Sequence, residues 1–220
     1  IVIYIYQLLD TKIHSFKDIE NAKLPIVGSV PFNKKVGNIV IDRTSNSVIS
    51  ESLRLLRTNT HFLLGDSHSQ FNENTDGLGR TIFVTSTIAK EGKSFISINL
   101  ATSFALTGKK TVIVGLDLRS PKLLEYLGLP ETKGISNYIV NQEMRIEDMI
   151  TTSNFNENLD LLPSGDVPPN PAEILLSSRV EDMFDYLKKH FDYIIVDTSP
   201  VGVVTDTLLI KDHADATLFV

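Results

Sequence analysis

From Thr81 to Val220 the chain alternates short apolar runs with helical stretches, and that alternation restricts its fold more than any single motif does. The segments "TIFVTS" (81–86), "KTVIVGLD" (110–117), "NLDLLPS" (158–164), "DYIIVDTS" (192–199) and 216–220 read as strands. Between them "KSFISINLATSFALTG" (93–108) reads as a helix that stops at Gly108. Short helices are expected near 120–127, 134–141 and 145–150; residues 171–190 are mostly helical, and 205–212 is one more short helix. The run at 110–117 has little polar relief, as expected of a strand covered on both faces. Such alternation builds βαβ units. The expected class is therefore α/β, with a mostly parallel central sheet flanked by helices. No internal repeat or low-complexity tract is present.

The chain has 220 residues, 42% of them hydrophobic, enough for one sizeable domain with a buried core. Its net charge of −6 argues against nucleic acid as the main partner. It has no cysteine, which excludes disulfides and thiolate zinc sites, and the five histidines show no metal-ligand spacing. The first ten residues, "IVIYIYQLLD", are too few to span a bilayer, which takes about 20 residues. They read as a buried strand or a chain terminus, with the inner end of a membrane helix as the alternative. The closing "ADATLFV" reads as the start of a buried strand, so the chain is expected to continue past Val220.

Two units are expected: a linker over 1–44 and a domain over 45–220. Within the linker "LPIVGSVP" (24–31) has proline near both ends and reads as an extended connector. "SNSVISESLRLLRTNTHFLL" reads as a helix starting near Ser45–Ser47, with Ile49, Leu53, Leu56, Thr60 and Leu63 on one side. Glu51, Arg54 and Arg57 lie on another side. They could pair within the helix or with a neighbouring molecule. The polar stretch 65–79 reads as a loop.

Ligands of open parallel sheets bind beyond the carboxyl ends of the strands, so the residues there matter most. After the first strand comes Thr87-Ile88-Ala89-Lys90-Glu91-Gly92-Lys93-Ser94-Phe95, leading straight into a helix. A phosphate-binding loop reads G-x-x-x-x-G-K-[ST], and here threonine 87 stands where the first glycine would fall. The context still suits a bound anion, because N–H groups of the turn and helix start point outward. Lys93 would bridge phosphates and the Ser94 hydroxyl would bind Mg²⁺. The second strand leads to Asp117 and Arg119; the aspartate is either a magnesium ligand or a turn residue. The fourth ends on Asp197 after four apolar residues, the Walker B arrangement. A carboxylate at the mouth of a buried strand is costly without a cation or hydrogen-bond partner. Together the three strand mouths point to nucleoside triphosphate binding, with Lys93, Asp117 and Asp197 as the catalytic candidates and Ser94, Asp117 and Asp197 as the metal ligands.

Several segments resemble one family, the bacterial tyrosine kinases that accompany export of capsule and exopolysaccharide. "LPIVGSVP" is similar to the segment between membrane and kinase domain. "ESLRLLR" matches the E-x-x-R-x-x-R oligomerisation motif in type and spacing, through Glu51, Arg54 and Arg57. "EGKSFISINLATSFALTGKKTVIVGLDLRSPK" resembles the Walker A helix and Walker A′ motif. "LLPSGDVPPNPAEIL" (161–175) is similar to a loop of the family, and "DYIIVDTSPVGVVTD" resembles its Walker B region through Asp206. The resemblance implies the fold of the deviant-Walker ATPases, ATP with Mg²⁺, and phosphoryl transfer to tyrosines of a neighbouring subunit in a ring. It also implies a membrane adaptor or a transmembrane region of the protein's own, a place on the cytoplasmic face of the bacterial inner membrane, and polysaccharide export machinery as partner.

The sequence departs from the family pattern at three places. Walker A′ usually reads D-x-D-x-R, and here Gly115 replaces the first aspartate, leaving Asp117 and Arg119. Lys90 stands where the family often has glycine. Ser199 replaces the first of two prolines after Walker B. None of the six tyrosines, Tyr4, Tyr6, Tyr126, Tyr138, Tyr186 and Tyr193, belongs to a C-terminal cluster, and Tyr193 reads as core. Gly115 keeps two alternatives open: an ATP-hydrolysing membrane-associated switch, and a nucleotide-binding scaffold with weak transfer.

Overall fold

The computed structural model describes residues 19, 23–32, 39–42, 44–66 and 77–220. The first ten residues, Tyr4 and Tyr6 among them, lie outside that set, as do most of the 65–79 loop and much of the 1–44 linker. Helix α1 (Val48–Asp66) leads into β1 (Arg80–Thr85), α2 (Lys93–Ala105), β2 (Thr111–Gly115), α3 (Leu123–Leu127) and α4 (Ile135–Val140). A 3₁₀ turn (Ile146–Met149) precedes β3 (Thr151–Thr152) and β4 (Leu159–Leu162). Then come α5 (Pro171–Leu175), α6 (Ser178–His190), β5 (Tyr193–Asp197), α7 (Asp206–Leu209), a 3₁₀ turn (Lys211–His213) and β6 (Ala216–Phe219).

The six strands form one sheet in the order β3-β4-β2-β5-β1-β6. Every pairing is parallel except β3 with β4. The strands are covered on both faces. Ile82, Val84, Ile113 and Ile195 point into a core with α1 and α2, while Phe83, Val112, Val114 and Val196 point into a core with α6. Successive residues of one strand alternate between the faces, so each buried strand reads as an unbroken apolar run. No described helix is long and apolar enough to cross a membrane.

The structure departs from the sequence expectations at several points. The β3 strand has two exposed residues, too few to leave an apolar pattern. Residues 145–150 form a 3₁₀ turn, not an α-helix. The expected helix over 171–190 divides at Ser177, whose hydroxyl accepts a hydrogen bond from the Arg179 N–H and starts α6. On α1 the core residue is Leu64, whereas Leu63 is 44% exposed. At about 100° per residue, Leu64 falls within about 20° of Leu53, and Leu63 about 80° away.

The connector behaves as expected where it is described: residues 24–31 form neither helix nor strand. It is nevertheless docked, because Asn59 of α1 donates to the Val27 carbonyl at 2.6 Å and Val27 and Val30 pack against the core. Tyr193 is core, stacked on Phe104 with 3.9 Å between ring centroids. Its hydroxyl lies 2.7 Å from His61 Nδ1. Burial pushes the Tyr193 phenol above its ordinary pKa.

Candidate active site

The strand order makes the site. β5 lies between β1 and β2, with Asp197 beside Val84 on one flank and Gly115 on the other. The carboxyl ends of β1, β2 and β5 are therefore neighbours, although 112 residues separate Thr85 from Asp197 in the chain. The turn after β1 runs through Thr87, Ile88, Ala89, Lys90 and Glu91, all exposed, and enters α2 at Gly92.

The turn is held by its own atoms. Glu91 accepts a hydrogen bond from the Ile88 N–H at 2.9 Å, and Ser86 Oγ donates to the Ile88 carbonyl at 2.9 Å. The chain after β5 packs on it, with the Val201 and Gly202 N–H groups donating to the carbonyls of Ser86 and Thr87. A Cβ at position 202 would lie 2.4 Å from the Thr87 carbonyl oxygen, so only glycine fits there. Gly92 adopts φ 103°, which glycine accepts without strain.

Lys90 adopts φ 72°, the left-handed region that disfavours a side chain. The sequence raised that question, and the backbone answers it: the turn has a glycine conformation at a lysine. Lys90→Gly is expected to stabilise the domain by about 1 kcal/mol, read as a rise in the thermal unfolding midpoint.

At the start of α2, Lys93, Ser94 and Ser97 converge on Asp197. Lys93 Nζ lies 2.7 Å from Asp197 Oδ1, Ser94 Oγ donates to Oδ2 at 2.7 Å, and Ser97 Oγ donates to Oδ1 at 3.1 Å. Asp197 is 2% exposed, and these partners offset the cost of its burial. Lys93 Nζ also stands 3.9 Å from Asp117 Oδ2. Ser97 was not singled out in the sequence. Its signal is its position one turn beyond Lys93, on the same face of α2. Phe95, the last residue of the expected nucleotide loop, is half-buried against the α1–α2 core.

Asp117 lies two residues beyond β2. Its Oδ1 accepts from Ser199 Oγ at 2.9 Å and from the Ser120 N–H at 3.2 Å. Arg119 turns away toward α7 and makes a two-pronged pair with Asp206, at 2.7 Å and 2.9 Å. That hydrogen bond holds the Arg119 guanidinium above its ordinary pKa.

Gly115 has been filled from the side. Ser164 Oγ donates to the Gly115 carbonyl at 2.7 Å, and a Cβ at position 115 would stand 2.8 Å from Ser164 Oγ and 3.3 Å from Leu123 Cδ2. A serine from the β4 end thus occupies space that a side chain at 115 would need.

The donor set fits magnesium. It consists of hydroxyl and carboxylate oxygens, which suit a hard cation, and the buried Asp197 already draws a cationic partner in Lys93.

The three residues of the α1 motif take different surroundings. Glu51 is exposed and pairs with Arg54 one turn on. Arg54 also donates to the carbonyls of Asp42 and Ser45. Arg57 reaches across to the Ser103 carbonyl of α2 at 3.2 Å. Its burial there, followed by the charge of Arg54, lowers its pKa. Both arginines are thus tied to their own domain.

The chain is similar to known proteins in sequence and in fold. An AAA domain family model matches residues 79–218. The tyrosine-protein kinase YwqD of Bacillus subtilis is 31% identical over 183 residues, which is 83% of this chain and 72% of that protein. The crystal structure of the chimerical protein CapA2B2 superposes with a TM-score of 0.79 at 30% identity, covering 93% of this chain and 84% of that one. The septum site-determining protein MinD of Pyrococcus horikoshii, solved with Mg-ADP, shares the fold at a TM-score of 0.55 and 22% identity over 64% of this chain and 57% of that one. The curated relatives are mostly longer: the chain spans from 22% to 72% of their lengths. With a mostly parallel sheet, a lysine–serine pair after β1 and aspartates at the ends of two further strands, the chain belongs to the bacterial tyrosine kinase family.

Proposed function

We propose that the chain is the kinase domain of an ATP-dependent protein-tyrosine kinase that phosphorylates tyrosines on a neighbouring copy within a ring. The observation that carries this reading is the meeting of Lys93, Ser94, Asp117 and Asp197 at adjoining strand ends. Thr87 to Phe95 would wrap the phosphates, with backbone N–H groups of the turn and of the α2 start as donors. Lys93 would leave Asp197 and bridge the β and γ phosphates. Ser94, Asp117 and Asp197 would hold Mg²⁺, which neutralises charge on the phosphate oxygens.

The reaction asks for positioning more than covalent help. The tyrosine oxygen forms a bond to the γ-phosphorus as the bond to the β,γ-bridging oxygen breaks, and ADP leaves with that electron pair. Asp117 is the carboxylate best suited to take the phenolic proton. The Arg119–Asp206 pair would tether the turn that carries it. On this reading Glu51, with the helix bearing Arg54 and Arg57, faces the next subunit, and the connector runs to a membrane adaptor or the protein's own transmembrane region. The setting would be the cytoplasmic face of the bacterial inner membrane, and the output control of polysaccharide chain length and export. Names of relatives, such as tyrosine-protein kinase CpsD of Streptococcus pneumoniae, support the kinase activity.

One observation favours a second reading. Ser164 occupies the space beside Gly115, so a carboxylate found in the family is absent and its room is taken. Hydrolysis to free phosphate, or nucleotide binding with weak transfer, would suit that change. The deciding experiment is full-length protein with Mg·ATP, scored for phosphotyrosine and for free phosphate. Phosphotyrosine in excess is the expected result. Free phosphate alone would replace the kinase by a hydrolysing switch, and neither product would leave a scaffold.

A further inference from the structure

We propose that Ser199 is a positioning residue for Asp117, holding one carboxylate oxygen so that the other faces Lys93. The inference rests on the kinase reading of the site and concerns a residue outside its charged set.

Ser199 follows β5 by two residues and is 1% exposed. Its backbone is fixed from two sides. The Thr85 hydroxyl donates to the Ser199 carbonyl at 3.0 Å, and the Thr207 hydroxyl donates to the same oxygen at 2.8 Å. One of these threonines closes β1 and the other lies on α7, so the position of Ser199 is set by two separate elements. From there its Oγ donates to Asp117 Oδ1 at 2.9 Å. The Ser120 N–H adds a second bond to the same oxygen at 3.2 Å. Oδ1 is therefore held by two donors, while Oδ2 stands 3.9 Å from Lys93 Nζ.

A carboxylate free to rotate about its Cβ–Cγ bond would present either oxygen, in a range of directions. Two donors on one oxygen remove that freedom before the substrate arrives, which is how supporting hydrogen bonds sharpen a reactive carboxylate. The device matters more here than where two aspartates share the task. With Gly115 in place of the first, no side chain at that position can help to orient Asp117, and Asp197 is already held by Lys93, Ser94 and Ser97.

The test compares full-length wild type with Ser199→Ala, Ser199→Thr, Asp117→Ala and the Ser199→Ala/Asp117→Ala double variant. Two quantities are measured: the gain in ADP affinity on adding Mg²⁺, by calorimetry, and total ATP consumption as kcat and KM. Ser199→Ala is expected to lower kcat about tenfold with KM for ATP within about twofold, and to cut the Mg²⁺-dependent gain in ADP affinity about fivefold or more. Ser199→Thr, which keeps the hydroxyl, is expected to recover most of both. In the Asp117→Ala background the serine change is expected to have no further effect.

Ser199→Ala matching wild type in both quantities would overturn the proposal. So would an equal loss in both aspartate backgrounds, since the hydroxyl would then act elsewhere. Failure of the site reading itself has a different signature: wild-type ADP affinity would not respond to Mg²⁺ at all, and the role of Ser199 would fall with it.

Discussion

Lys93→Met in the full-length protein is expected to abolish tyrosine phosphorylation, a loss of about a thousandfold or more. Lys93 is the cation nearest to both aspartates, 2.7 Å from Asp197 and 3.9 Å from Asp117. In the proposed reaction it moves onto the phosphate oxygens. Methionine keeps the length and apolar stem of the side chain and removes the charge and its donors.

The same change has a structural cost that must be separated from chemistry. Asp197 would keep only hydroxyl donors in a buried setting, and breaking a buried ion pair from one side typically costs about 3–5 kcal/mol. Lys93→Met/Asp197→Asn removes the stranded charge, so its unfolding midpoint is expected to recover while its activity is not. Undiminished phosphorylation by Lys93→Met would eliminate the assigned site.

Arg119→Leu is expected to destabilise the domain by about 2–3 kcal/mol, because it strands the Asp206 carboxylate. The Asp206 side chain is 2% exposed, whereas that of Arg119 is 43% exposed. Water thus screens one side of the pair, which puts the cost below that of breaking a fully buried ion pair. In a domain of this size the loss corresponds to a fall of roughly 5–10 °C in the unfolding midpoint. Arg119→Leu/Asp206→Leu, with no carboxylate left to strand, is expected to regain most of it. If the single and double variants unfold at the same temperature, the pair does not join the Asp117 turn to α7 energetically.

Much of this was legible in the sequence, and the reason is local. A strand buried on both faces must be apolar throughout, so β1, β2 and β5 announced themselves as runs. A carboxylate at the end of such a run is conspicuous, which exposed Asp117 and Asp197 as candidates, while the Gly92-Lys93-Ser94 pattern exposed Lys93. Lys90 was legible as a problem because a glycine conformation at a lysine has a definite energetic cost. Less legible was anything defined by a partner elsewhere in the chain. Ser199 read as a mild replacement of proline, because its hydroxyl gains meaning only from Asp117, 82 positions earlier. Ser164 gave no signal for the same reason. Arg54 and Arg57 read as part of a polar stripe, and their hydrogen bonds to the carbonyls of Asp42, Ser45 and Ser103 left no signal in the sequence.

The sequence by itself determined that these strands would be buried, that their carboxyl ends would carry a lysine, a serine and two carboxylates, and that the elements would alternate. Each follows from residue chemistry and periodicity over a few positions. Only the tertiary structure decided that β5 lies between β1 and β2. The apolar faces of the strands are too alike to specify which neighbours pair, so that choice rests on how α1, α2 and α6 cover the sheet as a whole. It brings Asp197 against Lys93, and Ser199 against Asp117.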